Sequence, residues 1–193
     1  AENFRGKPVA VIDDRSQYGK GLADVTRAEL QRLNVAVAVS EQINQGDRDF
    51  AALISRMKAA RIEVIYFGGY HTEAGLLVRQ AREQGLTAVL VSGDALVTQE
   101  FWSIAGAAGE GTLMTFDADP RKNPVAAPVV ARFRAQNYDP EGYTLYTYAA
   151  IQTWAQAVAA AGNTTTQNLI PILRQREFAT GLGNVRFNVK RVP

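Results

Sequence analysis

The stretch Val64-Ile-Tyr-Phe-Gly-Gly-Tyr-His-Thr-Glu73 stops an apolar run on two glycines and then presents a tyrosine. A short β-branched and aromatic run ended by Gly68-Gly69, with helical spacing after it, predicts a buried parallel strand feeding a helix through a tight turn. Tyr70 then stands at the carboxyl end of a strand. In open parallel sheets that edge is where ligands bind, because the loops diverge there and the next helix begins with free N–H groups. The glycines let backbone come close to an occupant, and Tyr70 offers it a ring face and a hydroxyl.

The same grammar repeats on both sides of this turn. Pro8–Ile12 reads as strand one and Tyr18–Asn34 as helix one, with Leu22, Val25 and Leu33 on one face and Ala28 and Leu30 on its flanks. Asn34–Val39 reads as strand two. After a Gly46-Asp47 loop, Phe50, Leu53, Ile54 and Met57 recur at helical spacing, with Asp47 as the cap. Helix three spans Glu73–Gln84 and closes at Gly85. Thr87–Val91 is strand four, followed by Gly93-Asp94 and a short helix over Gln99–Ala105; Gly111–Phe116 is strand five. This alternation predicts an α/β fold, a parallel five-stranded Rossmann-like sheet with helices on both faces. The order 2-1-3-4-5 puts the topological switch point between strands one and three. The loops after Ile12 and Phe67 then face one crevice, with Tyr18 and Tyr70 as neighbours across it.

Past Phe116 the composition changes. Asp117–Pro124 carries two prolines and mixed charge, as an exposed connector does, and strand periodicity largely stops. Helices are predicted over Val125–Gln136, Thr144–Ala161 and Gln167–Arg174, the middle one with Tyr148, Ile151, Ala155 and Val158 on a shared stripe and Gly162 as its stop. Pro171 fits a first turn, whose N–H groups lack helical partners. Residues 183–189 alternate like a strand with nothing to pair them. Residues 1–116 therefore read as an α/β domain and 117–193 as a connector plus helices that lack a sheet of their own.

Bulk properties exclude several functions. The 193 residues are 47% hydrophobic, enough for a substantial core, and 21 basic against 19 acidic residues leave a net charge of +2. No Lys/Arg run tracks phosphates, which argues against nucleic acid as a partner. With no cysteine there are no disulfides, thiolate chemistry or cysteine metal sites. His71 is the single histidine, so a multi-histidine metal site and a Ser-His-Asp triad are both excluded. No apolar segment reaches the ~20 residues a bilayer span needs, and residues 1–7 show no signal-peptide pattern. Asp13-Asp14 is like the acidic pair of receiver domains, but Gly68-Gly69 replaces the phosphoacceptor aspartate. The turn after strand one, Asp-Asp-Arg-Ser-Gln-Tyr-Gly, lacks the glycine spacing that admits a pyrophosphate. No catalytic residue, metal or cofactor is expected.

Tyr18, Tyr70 and Asp94 each follow the carboxyl end of a predicted strand. Aromatic rings beside a carboxylate suit a small ammonium-bearing ligand: the carboxylate pairs with the charge, and the rings supply apolar walls or cation–π contact. The same residues also fit plain roles. A tyrosine after a strand can be packing plus a surface hydroxyl, and Asp94 after Gly93 can be a turn or helix cap.

Four runs, Asp13-Asp-Arg-Ser-Gln-Tyr18-Gly-Lys-Gly-Leu22, Gly46-Asp-Arg-Asp-Phe50, Tyr66-Phe-Gly-Gly-Tyr-His71 and Tyr146-Thr-Tyr-Ala-Ala-Ile151, resemble the periplasmic branched-chain amino acid binding proteins of ABC importers. The resemblance covers essentially the whole chain in family order. It implies a type I periplasmic binding fold, with this chain as the second lobe plus the helical return into a first lobe whose sheet would precede residue 1. It also implies that Tyr18 and Tyr70 contact ligand and that Tyr143 lies near the ligand side chain. Asp94 falls where the family carries a glutamate for the ligand ammonium. Losing one methylene retracts the carboxylate by roughly a C–C bond, ~1.5 Å, which weakens the case for leucine, isoleucine or valine.

The expected partners are a small-molecule ligand, an amino acid or analogue, and a membrane ABC permease. The expected location is periplasmic, with an export signal outside this chain. A ligand-sensing effector domain of a transcription or signalling regulator is the alternative. The helical second half, short of partner strands, predicts self-association or domain swapping.

Overall fold

The inner strand β1 (Val9–Asp13) is buried along its whole length, and its alternation splits the core in two. Ala10 and Ile12 face one side, joined by Ile65 and Phe67 of β3 (Val64–Gly68) and Leu90 of β4 (Val89–Ser92). Val9 and Val11 face the other with Val64. A period of two on strands buried on both faces leaves no polar side, hence the near-continuous apolar runs. The computed structural model describes residues 4–188. These divide into two compact units at the junction of Phe116 and Asp117.

In the first unit the sheet is parallel, in the order β2-β1-β3-β4-β5, with β2 at Val37–Gln42 and β5 reduced to Leu113–Met114. β1 pairs with β3 from Val9↔Val64 to Asp13↔Gly68, so both end at the same rim. Helices α2 (Ala51–Ala59), α3 (His71–Glu83) and α4 (Gln99–Ala105) cover the larger core through Leu53, Ile54, Met57, Leu77, Val78 and Phe101. Helix α1 (Gln17–Arg32) lies on the other face.

Helix α1 meets the sheet through small residues, Gly19 and Ala23, rather than through the larger face the spacing predicts. Val25 is 71% and Leu33 41% exposed. The reason is proximity: a Cβ on Gly19 would lie 2.5 Å from the Gly68 carbonyl oxygen. Two further expectations are corrected. Strand β2 begins and ends about three residues later than its apolar run suggests, because it continues through Ser40, Glu41 and Gln42 opposite β1. Asp47 does not cap α2; it accepts from the Asn44 N–H, and Phe50 takes the cap position without a side-chain bond.

The second unit opens with two 3₁₀ turns. Asp119 and Asn123 each accept from the N–H two residues on, and each is followed by a proline whose missing N–H costs nothing there. Helix α5 (Ala127–Arg134) packs Val129 and Val130 against Leu145 of α6 (Thr144–Ala161). The buried line of α6 is Leu145, Ala149, Thr153 and Ala157, whereas Ile151 of the predicted stripe is 60% exposed. Helix α7 (Thr166–Gln175) carries Pro171 in its second turn rather than its first, so the proline removes an interior hydrogen bond.

The strand-like tail does find a partner. β7 (Gly183–Arg186) pairs antiparallel with β6 (Glu177–Thr180), whose Phe178 is buried beside Ala157 and Leu169. The predicted stretch continues to Val189, which lies outside the described residues. Among the described residues this unit is therefore three α-helices with a two-stranded hairpin rather than helices alone.

Candidate functional site

Ser16 starts α1, its Oγ accepting from Gly19 N–H at 2.8 Å, and this cap fixes where Tyr18 leaves the helix. Ser16 is itself set by Asp14, whose Oδ1 accepts from both its N–H (2.9 Å) and its hydroxyl (2.6 Å). Asp13, the other half of the acidic pair, is buried and accepts from Arg27, Gln42 and the Arg15 N–H. Both aspartates thus build the turn. Tyr70 is the residue before α3, at the end of β3.

The structure brings three of the predicted site residues together. Tyr18 and Tyr70 stand with ring centroids 5.2 Å apart at 33°, a tilted stack. The Tyr18 hydroxyl donates to Asp94 Oδ1 at 2.9 Å. Asp94 opens a 3₁₀ turn directly past β4, and Gly93 before it leaves room for the Tyr18 hydroxyl, which a Cβ there would approach to 2.8 Å. Burial first, and then the Asp94 carboxylate, push the Tyr18 phenol well above its ordinary value, so it stays a donor at neutral pH. Tyr143, the fourth, belongs to the second unit, half exposed before α6 with its ring 5.9 Å from Tyr146.

Beside the two rings lies an open hollow of about 600 Å³ lined by Ser16, Gln17, Tyr18, Gln45 and Tyr70. Gln17 and Gln45 escaped the sequence reading. Gln45 follows the true end of β2, so placing that strand three residues later would have marked it by the same rim rule. His71, first in α3, sits with Nε2 3.5 Å from Glu100 Oε2. Among the described residues no group of three or more Asp, Glu or His is placed to hold a metal ion.

A parallel sheet in this order, with a hollow at its carboxyl rim, defines a lobe of the type I periplasmic binding fold. The chain belongs to the periplasmic binding protein family, whose profile matches residues 1–191. It is 45% identical over 193 residues to a Leu/Ile/Val-binding protein homolog 1 of Brucella suis, covering 100% of this chain and 52% of that protein. To an amino acid binding protein of Pseudomonas aeruginosa it is 46% identical over 189 residues, covering 97% and 50%. The crystal structure of the leucine binding protein LivK from Thermotoga maritima matches with a TM-score of 0.82 at 27% identity, over 97% of this chain and 55% of that one. The chain spans about half the length of the curated relatives it matches.

Proposed function

We propose that the protein containing this chain is the solute-binding component of an ABC importer, capturing an amino acid or related small zwitterion between two lobes. Residues up to Phe116 form the second lobe; those from Asp117 supply the hinge connector and the helical part of the first. The observation that carries this reading is the Asp94 carboxylate held by the Tyr18 hydroxyl at 2.9 Å beside the Tyr18–Tyr70 ring pair. A carboxylate fixed at this rim pairs with an ammonium, and the rings cover the carbon atoms next to it. Tyr143, on the second unit, is a further aromatic candidate for the ligand side chain, as the resemblance implies.

Capture is binding without chemistry, in keeping with relatives that are named as binding proteins. Membership of the periplasmic binding protein family supports a location outside the cytoplasm, and the closed lobe pair is presented there to a membrane permease. Ligand drives closure only to the extent that it touches both lobes, so each lobe alone holds it weakly. Calorimetry with the full-length protein and a panel of amino acids tests this. Binding by the full-length protein, lost in D94A and weak in the 193-residue segment alone, is the expected result. Tight binding by the isolated segment would mean the site is placed wrongly.

A further inference from the structure

One wall of the hollow is unused by the reading above. Gln17 and Gln45 line it with Ser16, Tyr18 and Tyr70, and no aliphatic side chain does. A carboxamide both donates and accepts, so it pairs with a polar group of either kind and gains nothing from hydrocarbon. Among the described residues neither amide has a hydrogen-bond partner.

The backbone under Gln45 is fixed on both sides. Before it, Asn44 accepts from Arg15 Nη1 at 2.7 Å, tying the loop to the turn that leads into Tyr18. After it, the Gly46 N–H donates to Glu73 Oε1 at 2.8 Å. Glu73 is buried in the first turn of α3, three residues past Tyr70. Asp47 closes the turn, its N–H reaching the Asn44 carbonyl at 3.0 Å, and Gly46 supplies the left-handed residue at φ +87°. These bonds tie the loop to the two ring-bearing elements. Together they hold residue 45 at the edge of the hollow.

We infer that Gln45, seconded by Gln17, is a specificity-determining residue that reads a hydrogen-bonding group on the ligand's side chain. The ligand is then an amino acid with an amide, hydroxyl or carboxylate side chain in preference to leucine, isoleucine or valine. This rests on the capture reading above. A site built to hydrogen-bond discriminates strongly against an analogue lacking the group, because its own polar atoms are left unpaired.

Calorimetry on the full-length protein with glutamine, threonine, glutamate, leucine and valine tests it. At least one polar ligand should bind about tenfold or more tighter than leucine, and Q45A should lower that polar-to-aliphatic ratio about tenfold. Leucine or valine binding tightest, with ratios unmoved by Q45A, overturns the inference and leaves capture standing. No binding of any amino acid, with D94A indistinguishable from the parent, overturns both.

Discussion

Gly19 and Gly68 touch backbone to backbone: a Cβ on Gly68 would sit 2.2 Å from the Gly19 carbonyl oxygen. Helix α1 crosses the end of β3 at this point, which brings Tyr18 within reach of Tyr70. G68A therefore forces backbone apart and should cost about 1–3 kcal/mol or more by urea unfolding. G21A, two residues along the same helix with open space around its Cα, should instead stabilise by about 0.5–1 kcal/mol. Equal effects at the two positions would deny the close crossing.

Removing the Tyr18 hydroxyl takes away one hydrogen bond that orients Asp94. In the full-length protein Y18F should weaken amino acid binding about tenfold or more, the range for a hydrogen bond to a charged group. D94A should weaken it further. Circular dichroism identical to the parent's would show that the loss is local, and unchanged affinity in D94A would deny the ammonium role.

Arg27 supplies Asp13 with a partner at 2.9 Å, and Asp13 is fully buried while Arg27 keeps a quarter of its side chain exposed. R27M leaves the carboxylate with only Gln42 and a backbone N–H. The expected loss is about 2–4 kcal/mol, below the full cost of orphaning a buried charge because the Gln42 amide and the Arg15 N–H still donate to it. The double variant R27M with D13N should recover part of it in chemical denaturation.

Acid should destabilise the second unit through Asp119 and Asp139. Asp119 is held below the usual carboxylate range chiefly by its hydrogen bond to Arg121, and Asp139 by Arg134 and then Arg121. A folded-state pKa below the unfolded one gives stability that is present above the unfolded value, near about 4, and is lost as pH falls through the folded one. R121Q removes ties to both carboxylates. It should flatten the fall in thermal midpoint between about pH 5 and pH 2, and a slope equal to the parent's would contradict the linkage.

The 193-residue segment on its own should self-associate. Ile151 and Trp154 of α6 are 60% and 48% exposed, on a helix whose opposite line is already buried. Sedimentation velocity at rising concentration should show larger species, and W154K with I151K should reduce them. A strictly monomeric segment would contradict the expectation.

Much of the first unit was legible because its chemistry is local. Strands buried on both faces must be apolar runs, and each run here ends on a turn residue. The order 2-1-3-4-5 is the commoner choice for five such units and is the one observed, and it sets Tyr18, Tyr70 and Asp94 on one rim. What escaped depends on neighbours. Ser40-Glu41-Gln42 looks like loop because an edge strand buries only one side, and misplacing its end hid Gln45. Val25 and Leu33 look like a core face of α1, yet the helix approaches through Gly19 and Ala23, whose small size matters only because Gly68 lies beneath them. The β6–β7 hairpin escaped because Glu177–Thr180 is four residues long and commits only Phe178 and Thr180 to the interior.

Tyr18, Gln45, Tyr70 and Asp94 each ride on a different crossover above one shared layer of buried strands. Tyr18, Tyr70 and Asp94 are coupled to one another by a ring contact and a hydrogen bond, whereas the Gln45 side chain makes no such bond to them. If the proposed capture role holds, selection or an engineer building a sensor can retune preference at position 45 while the coupled trio and the strands beneath keep their shape.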